Sequence, residues 1–157
     1  MLKLRVYGTP VPQGSTKAFA LRKGGVPTGR TVVTSDNRKT KPWRQKIVDE
    51  AMAQASYITG WAGREGMPLA VSLVFVMPRP DGHFGTGKNA LVLRPSAPPR
   101  PARKPDLDKL VRAVFDALTD AGIWRDDGQV VQLHTSKVYA HGEERPGVEI
   151  EVGVCGG

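Results

Sequence analysis

Two long segments rich in glycine and proline interrupt this chain, at residues 8–41 and 78–105. Glycine and proline disrupt regular helices and strands, so the sequence predicts a long loop at each segment. The 157 residues fit one domain, 1–157, because a second hydrophobic core would need more sequence than remains. The packed part of the fold must therefore come from the residues before, between and after the two loops.

Hydrophobic patterning outside the loops predicts six elements in the order β-α-β-α-β-β. The predicted strands are 2–7, 69–77, 129–139 and 148–154, and the predicted helices are 41–58 and 107–118. The strands show period-two alternation or a continuous Val-rich run, whereas the helices repeat apolar residues every three or four positions. We therefore expect an α+β fold, a single small domain with a mixed sheet of about four strands and two main helices. Both loops follow strands and are expected to emerge near one end of the sheet.

Positive charge is concentrated in the two loops. They hold 13 of the 23 basic residues and two of the 15 acidic ones, so they carry +11 while the rest of the chain carries −3. Solubility alone would explain one basic loop, but two of them favour a polyanionic partner, with nucleic acid the leading candidate because flexible basic segments suit phosphate contacts. The candidate DNA-binding residues are Lys17, Arg22, Lys23, Arg38, Lys39, Arg100, Arg103, Lys104 and Lys109.

Membrane and cysteine chemistry are not expected from this sequence. The longest apolar stretch, 67–77, is about half of what a membrane-spanning helix needs, and no signal peptide is recognisable. The single Cys155 cannot form an internal disulfide and has no Cys or His cluster around it to bind zinc. We therefore expect a cytoplasmic protein without a membrane partner.

Two pairs of aspartates flank the second predicted helix. Asp106 occupies the N-cap position and Asp108 the first turn, where carboxylates ordinarily stabilise a helix. Asp126 and Asp127 precede a glycine in a common turn sequence. Alternatively, the pairs converge from a helix start and a strand start on a divalent cation such as Mg²⁺, which prefers oxygen ligands. A metal site beside basic loops could cleave a phosphodiester, so the combination favours a nuclease.

A basic residue on the same helix has two interpretations. Asp108, Arg112 and Asp116 are spaced at i, i+4 and i+8, which is typical of a surface row of ion pairs. Alternatively, Arg112 stands one helical turn from the proposed metal site and acts on the substrate phosphate.

The chain resembles the RusA family of Holliday junction resolvases over residues 105–139, PDLDKLVRAVFDALTDAGIWRDDGQVVQLHTSKVYA. The resemblance rests on the Asp-Leu-Asp opening of the helix, FDAL at 115–118, AGIW at 121–124 and DDGQV at 126–130. Fainter similarity covers the first strand, the first helix and the strand after Met67-Pro68. The segment 79–104 is longer than in compact members and is similar to the extended loop of phage and actinobacterial relatives.

The resemblance implies a homodimeric, Mg²⁺-dependent endonuclease that resolves four-way DNA junctions by paired symmetric cuts, with Mn²⁺ expected to substitute. Asp106, Asp108 and Asp127 fall on the family's catalytic, metal-binding aspartates. Lys109 stands where the family often has Asn, and Arg112 where it often has a catalytic Lys. Since arginine stays protonated at any working pH, Arg112 can stabilise a phosphate but cannot take a proton from water.

Other functions remain open at this stage. The sequence lacks an acidic-x-Lys pair at a spacing suited to a PD-(D/E)xK nuclease, which argues against that class. A non-catalytic protein that binds branched DNA would be distinguished by the absence of cleavage with Mg²⁺ or Mn²⁺. A nucleotide phosphohydrolase would need a phosphate-cradling glycine motif, and the sequence contains no G-x-x-x-x-G-K-[ST].

Overall fold

The structure, a computed structural model, describes residues 1–14, 16–35 and 38–156. Its strands are β1 Leu2–Tyr7, β2 Thr16–Lys23, β3 Val26–Ser35, β4 Leu69–Met77, β5 Val130–Tyr139 and β6 Gly147–Val154, and its helices are α1 Thr40–Ser56 and α2 Leu107–Asp120. Every strand and helix predicted from the sequence is present. The α+β fold with a four-stranded mixed sheet and two main helices is therefore confirmed.

The main sheet has the strand order β1-β6-β4-β5. Strand β6 is antiparallel to both β1 and β4, whereas β5 is parallel to β4. A parallel pair needs a crossover between its strands, and α2 lies in the connection from β4 to β5. Because β1 and β4 run in the same direction, the segments that follow them leave at one end of the sheet, as predicted.

One hydrophobic core joins the sheet to the two helices. Alternate residues of β4, from Leu69 through Phe75, are fully buried, and α1 and α2 bury Ile47 and Leu110 against them. The apolar stripe of α2 makes this possible because residues three and four apart share one face of a helix. This packing therefore fixes where the two ends of α2 lie relative to the sheet.

The first glycine- and proline-rich segment is not a simple loop, which corrects the predicted element order. Strands β2 and β3 form a separate antiparallel hairpin, and Lys23 pairs with Val26 across Gly24 and Gly25. Both glycines have positive φ, +60° and +83°, as a two-residue type I′ turn requires. The Gly-Gly pair is the sequence signal for this hairpin, whereas the glycine and proline content of the whole segment predicts a loop.

The second segment, 78–105, has no long helix or strand among its residues, as predicted. Two short 3₁₀ turns, Asp81–His83 and Gly87–Asn89, are its regular parts. Within the part of the chain that the structure describes, no helix is both long and apolar enough to cross a bilayer.

Candidate active site

Two exposed carboxylates lie at the start of α2. Asp106 is the N-cap residue in an extended conformation, but its side chain makes no capping hydrogen bond. Its Oδ2 lies 3.5 Å from Nζ of Lys109. The side chain of Asp108, in the first turn, has no hydrogen bond or ion pair within the described ranges. Side-chain capping therefore does not explain Asp106, and both carboxylates face solvent at a helix N-terminus.

Lys137 of β5 holds the chain just before these carboxylates. Its Nζ donates hydrogen bonds to the carbonyl oxygens of Arg103 at 2.9 Å and Pro105 at 2.8 Å. Lys137 pairs with the buried Phe75 of β4, so it lies on the core face of the sheet. Lys137 was not among the residues predicted from the sequence, although a lysine on the apolar side of a predicted strand was a usable signal.

The two aspartates of the second pair differ: the Asp126 side chain caps a turn, whereas the Asp127 side chain has no such structural role. Asp126 accepts a hydrogen bond from the backbone N–H of Gly128 at 2.8 Å and forms a reciprocal capping box with Gln129. Asp126 therefore has the ordinary turn role considered for the pair. The side chain of Asp127 is exposed and has no hydrogen bond or ion pair to any described residue.

The structure does not bring the two pairs together within one chain. Asp126 and Asp127 line a small depression with Asp116 and Asp120 of the last turns of α2, whereas Asp106 precedes the first turn. The 14 residues of α2 rise about 21 Å at 1.5 Å per residue. Among the described residues, no group of three His, Cys, Asp or Glu could hold a metal ion.

The expected convergence within one chain is therefore wrong, and the topology gives the reason. Since β5 is parallel to β4, the chain must travel back along α2 before it enters β5. This places the start of the strand and the start of the helix at opposite ends of α2.

Arg112 does not form the surface ion-pair row that its spacing permits. Asp116 pairs instead with Arg44 of α1 at 3.6 Å, and Arg44 also pairs with Asp120. Arg112 is exposed and has no ion pair in the described part of the chain. Its guanidinium thus remains one helical turn beyond Asp108, available to an anion.

The structure brings basic residues from both segments beside the start of α2. Lys39 from the first segment and Arg100, Arg103 and Lys104 from the second line one cavity together with Pro105. Arg22, Lys23 and Arg38 of the first segment do not line this cavity. Arg22 and Lys23 flank the exposed hairpin turn, Arg38 is exposed before α1, and the side chain of Lys17 lies outside the described residues.

Solvent-facing carboxylates at a helix start, with basic residues beside them, are the residue types that phosphodiester cleavage by a nuclease requires. The chain belongs to the RusA family, since the family model described as Endodeoxyribonuclease RusA matches residues 8–153. It is a nuclease.

Individual relatives agree with the family match. The uncharacterized protein YqaN of Bacillus subtilis (strain 168) is 31% identical over 153 residues, which cover 96% of this chain and 94% of that protein. The crossover junction endodeoxyribonuclease RusA of Escherichia coli (strain K12) is 56% identical over 36 residues, 23% of this chain and 30% of that protein. The namesake enzyme of Enterobacteria phage 82 shows the same identity over the same length.

Proposed function

We propose that this protein is a divalent-metal-dependent endonuclease that resolves four-way DNA junctions by paired, symmetric cuts. The observation that carries the proposal is the pair of solvent-facing carboxylates, Asp106 and Asp108, beside the basic cluster formed by both segments. Carboxylates alone would repel a polyanionic substrate. A divalent cation held by Asp106 and Asp108 would remove this repulsion.

Asp106 and Asp108 fit a Mg²⁺ site. Mg²⁺ is usually bound through one or two carboxylates together with water and substrate phosphate oxygens, and Mn²⁺ accepts the same ligands. Neither carboxylate caps α2, and both are exposed. A bound Mg²⁺ supplies an activated water and stabilises charge on the leaving oxygen in such cleavage.

Arg112 has the role of a fixed positive charge at the substrate phosphate. A preorganised cation stabilises the negative charge that develops on the phosphate during cleavage. Because its guanidinium stays protonated, Arg112 does not act as the general base. Lys109, which is close to Asp106, is the next cation along the chain.

The basic segments hold the DNA backbone. All side chains from Ala20 to Thr31 are exposed, so the hairpin of β2 and β3 projects from the body as a ribbon of the kind that fits a DNA groove. Arg100, Arg103 and Lys104 present a second set of cations. Replacing these three with glutamine should reduce the log-log salt slope of junction binding by roughly three, one for each lost phosphate contact.

A second copy of the chain supplies Asp127. Paired cuts require two equivalent sites, and a closed two-fold dimer provides them. When two α2 helices cross antiparallel about such an axis, the end of one helix meets the start of the other. The partner's Asp127 would then join Asp106 and Asp108, which the single chain keeps apart.

An uncovered apolar surface supports this dimer. Leu107, Val111 and Phe115 form a half-buried row at i, i+4 and i+8 on α2. Val131 and Leu133 of the neighbouring edge strand β5 are 63% and 41% exposed. Leu133 is in register with the buried Val71, so its side chain lies on the core face of the sheet. It is nevertheless exposed to solvent. A second copy would bury this surface.

A complementation experiment tests the site and the dimer together. Asn at Asp106, Asp108 or Asp127 should abolish cleavage while junction binding persists. Mixing Asp106→Asn with Asp127→Asn should restore cutting, because the mixed dimer contains one site in which both contributions are wild type. Mixing Asp106→Asn with Asp108→Asn is the matched control and should remain inactive.

Three results would contradict the proposal. An inactive first mixture, with dimers confirmed by light scattering, would show that Asp127 acts within its own chain or not at all. A monomer that still makes symmetric cuts would refute the dimer. Junction binding by the wild type without any cleavage in Mg²⁺ or Mn²⁺ would instead assign a non-catalytic branched-DNA-binding function.

A further inference from the structure

A cavity of about 630 Å³ lies between the end of the main sheet and the segment 78–105. Met77 and Tyr139, at the ends of β4 and β5, are among its buried lining residues. Its proline walls are Pro10, Pro12, Pro78, Pro80, Pro98, Pro101 and Pro105. The cavity thus has an apolar interior, and Pro105 joins it directly to Asp106.

The charges around this apolar interior are all of one sign. The cationic lining residues are Lys39, Arg100, Arg103, Lys104 and Lys137, and the described lining includes no Asp or Glu. A ligand that fits must therefore combine an apolar, compact body with negative charge at its edge. A nucleotide has this combination, since a flat base is attached to a phosphate.

Contacts with strand β5 fix the segment that forms the wall of the cavity. Arg79 donates to the carbonyl oxygen of Pro98 at 3.0 Å, and its guanidinium carbon lies 4.3 Å from the ring centroid of Tyr139. On the other side, Lys137 holds the carbonyls of Arg103 and Pro105. Both ends of the segment are therefore fastened to the sheet, which makes the cavity a formed feature of the fold.

We propose that this cavity binds one nucleobase displaced from the helical stack at the branch point of the DNA substrate. This inference rests on the proposed function, because it assumes that branched DNA is the substrate. The volume falls within the range of about 300–1000 Å³ that is typical of small-ligand sites, which suits a single nucleotide and excludes a duplex. The lining residues Lys39, Arg100, Arg103 and Lys104 would hold the phosphates that flank the base.

Base capture would make cleavage selective for branched DNA. A base in continuous duplex must lose its pairing and stacking before it can enter a pocket, whereas a base at a branch point has already lost part of them. Since Pro105 lines the cavity and Asp106 follows it, a captured base draws its own backbone towards Asp106 and Asp108. Linear DNA would bind the basic segments without presenting a phosphate correctly.

The test fills the cavity without changing its charge. Ala102 is an exposed lining residue, so Ala102→Leu occupies part of the space that the base needs. Ala53→Leu makes the same change at an exposed position of α1, outside both basic segments, and serves as the control. The probes are four-way junctions with 2-aminopurine at each nucleotide flanking the branch point, bound in Ca²⁺ to measure unstacking and then cleaved in Mg²⁺.

At one probe position, the wild type and Ala53→Leu should raise the 2-aminopurine fluorescence, which reports an unstacked base. Ala102→Leu should lose this rise and cleave the junction about tenfold more slowly, which is within the roughly fivefold to hundredfold range that contact with a single base contributes. Its affinity for linear duplex should not change. An abasic nucleotide at the same position should weaken junction binding by the wild type but not by Ala102→Leu.

The inference is overturned if Ala102→Leu gives the wild-type fluorescence and cleavage rate, or if no probe position responds to the wild type. Equal weakening of both proteins by the abasic nucleotide would also overturn it, because the contact would then lie outside the cavity. Failure of the proposed function looks different, since the wild type itself would then fail to cleave junctions. If free deoxynucleoside monophosphate abolishes the fluorescence rise at micromolar concentration, the cavity is a site for a free nucleotide and the inference is wrong.

Discussion

Replacing Lys137 with methionine retains an unbranched apolar side chain but removes the ammonium group that donates to the carbonyls of Arg103 and Pro105. These hydrogen bonds, at 2.9 and 2.8 Å, are the direct link between β5 and the residue that precedes Asp106. Without them, the segment before α2 should sample other positions. We expect Lys137→Met to impair cleavage because the Asp106 carboxylate is then held less firmly.

The size of the effect follows from the two bonds. Hydrogen bonds to a charged group contribute about 1.5–3 kcal/mol each, but the two here share one ammonium group. Arg103 is exposed and Pro105 half-buried, so water can partly replace the donor at both carbonyls. We therefore expect a total near the lower end, about 2 kcal/mol. This free energy corresponds to a roughly thirtyfold decrease in the equilibrium constant for the ordered position of the segment, and the cleavage rate should fall by the same factor.

The assay is single-turnover cleavage of a labelled four-way junction at saturating protein, with urea unfolding in parallel. Lys46→Met, at an exposed position of α1, removes an equal charge and is the control. The cleavage rate should fall about thirtyfold relative to this control. The salt slope of binding should stay the same, because the Lys137 ammonium is bonded to two backbone carbonyls rather than to a phosphate. Cleavage by Lys137→Met within twofold of the control would refute the reasoning.

Other substitutions test separate parts of the molecule. Arg112→Ala should lower the cleavage rate by on the order of a hundredfold, with Arg112→Lys retaining most activity and junction affinity nearly constant in both, as measured in single-turnover assays. Replacing Arg22 and Lys23 at the hairpin turn with glutamine should reduce the salt slope of binding by roughly two, and an unchanged slope would place the hairpin off the DNA. The Arg5 guanidinium, which donates a hydrogen bond to Glu144 at 3.0 Å, lowers the pKa of the Glu144 carboxyl. The ion pair therefore stabilises the fold at pH values above the usual pKa of a glutamate, and this stabilisation is lost as the pH falls through the lowered pKa. Glu144→Gln should therefore lower the free energy of unfolding by about 0.5 kcal/mol at neutral pH, and this difference should disappear in acid.

The main sheet and both helices could be predicted because their burial follows local periodicity. The alternation of Leu2–Tyr7 and the stripe of α2 depend on neighbours within one element, and the sequence displays them directly. The hairpin was missed because glycine and proline were interpreted as signals for a loop, although Gly24-Gly25 between alternating segments is the usual composition of a tight hairpin turn.

The candidate site residues were chosen from the sequence, but their arrangement in the fold could not be predicted from it. The types and spacing of Asp106, Asp108 and Asp127 indicate oxygen ligands, yet their separation depends on the direction of β5 in the sheet. That direction is a tertiary property that no local pattern specifies. The same limit applies to Lys137, whose partners are 32 and 34 residues away along the chain.

Strand β6 separates β1 from β4 in the sheet, although it follows every other element along the chain. Neither β1 nor β4 can complete its backbone pairing until β6 is inserted between them. Earlier parts of a polypeptide emerge from the ribosome first and must wait for later ones. A nascent chain with this strand order has no finished sheet on which its helices can pack, so nuclease activity cannot develop until residues 147–154 have been synthesised.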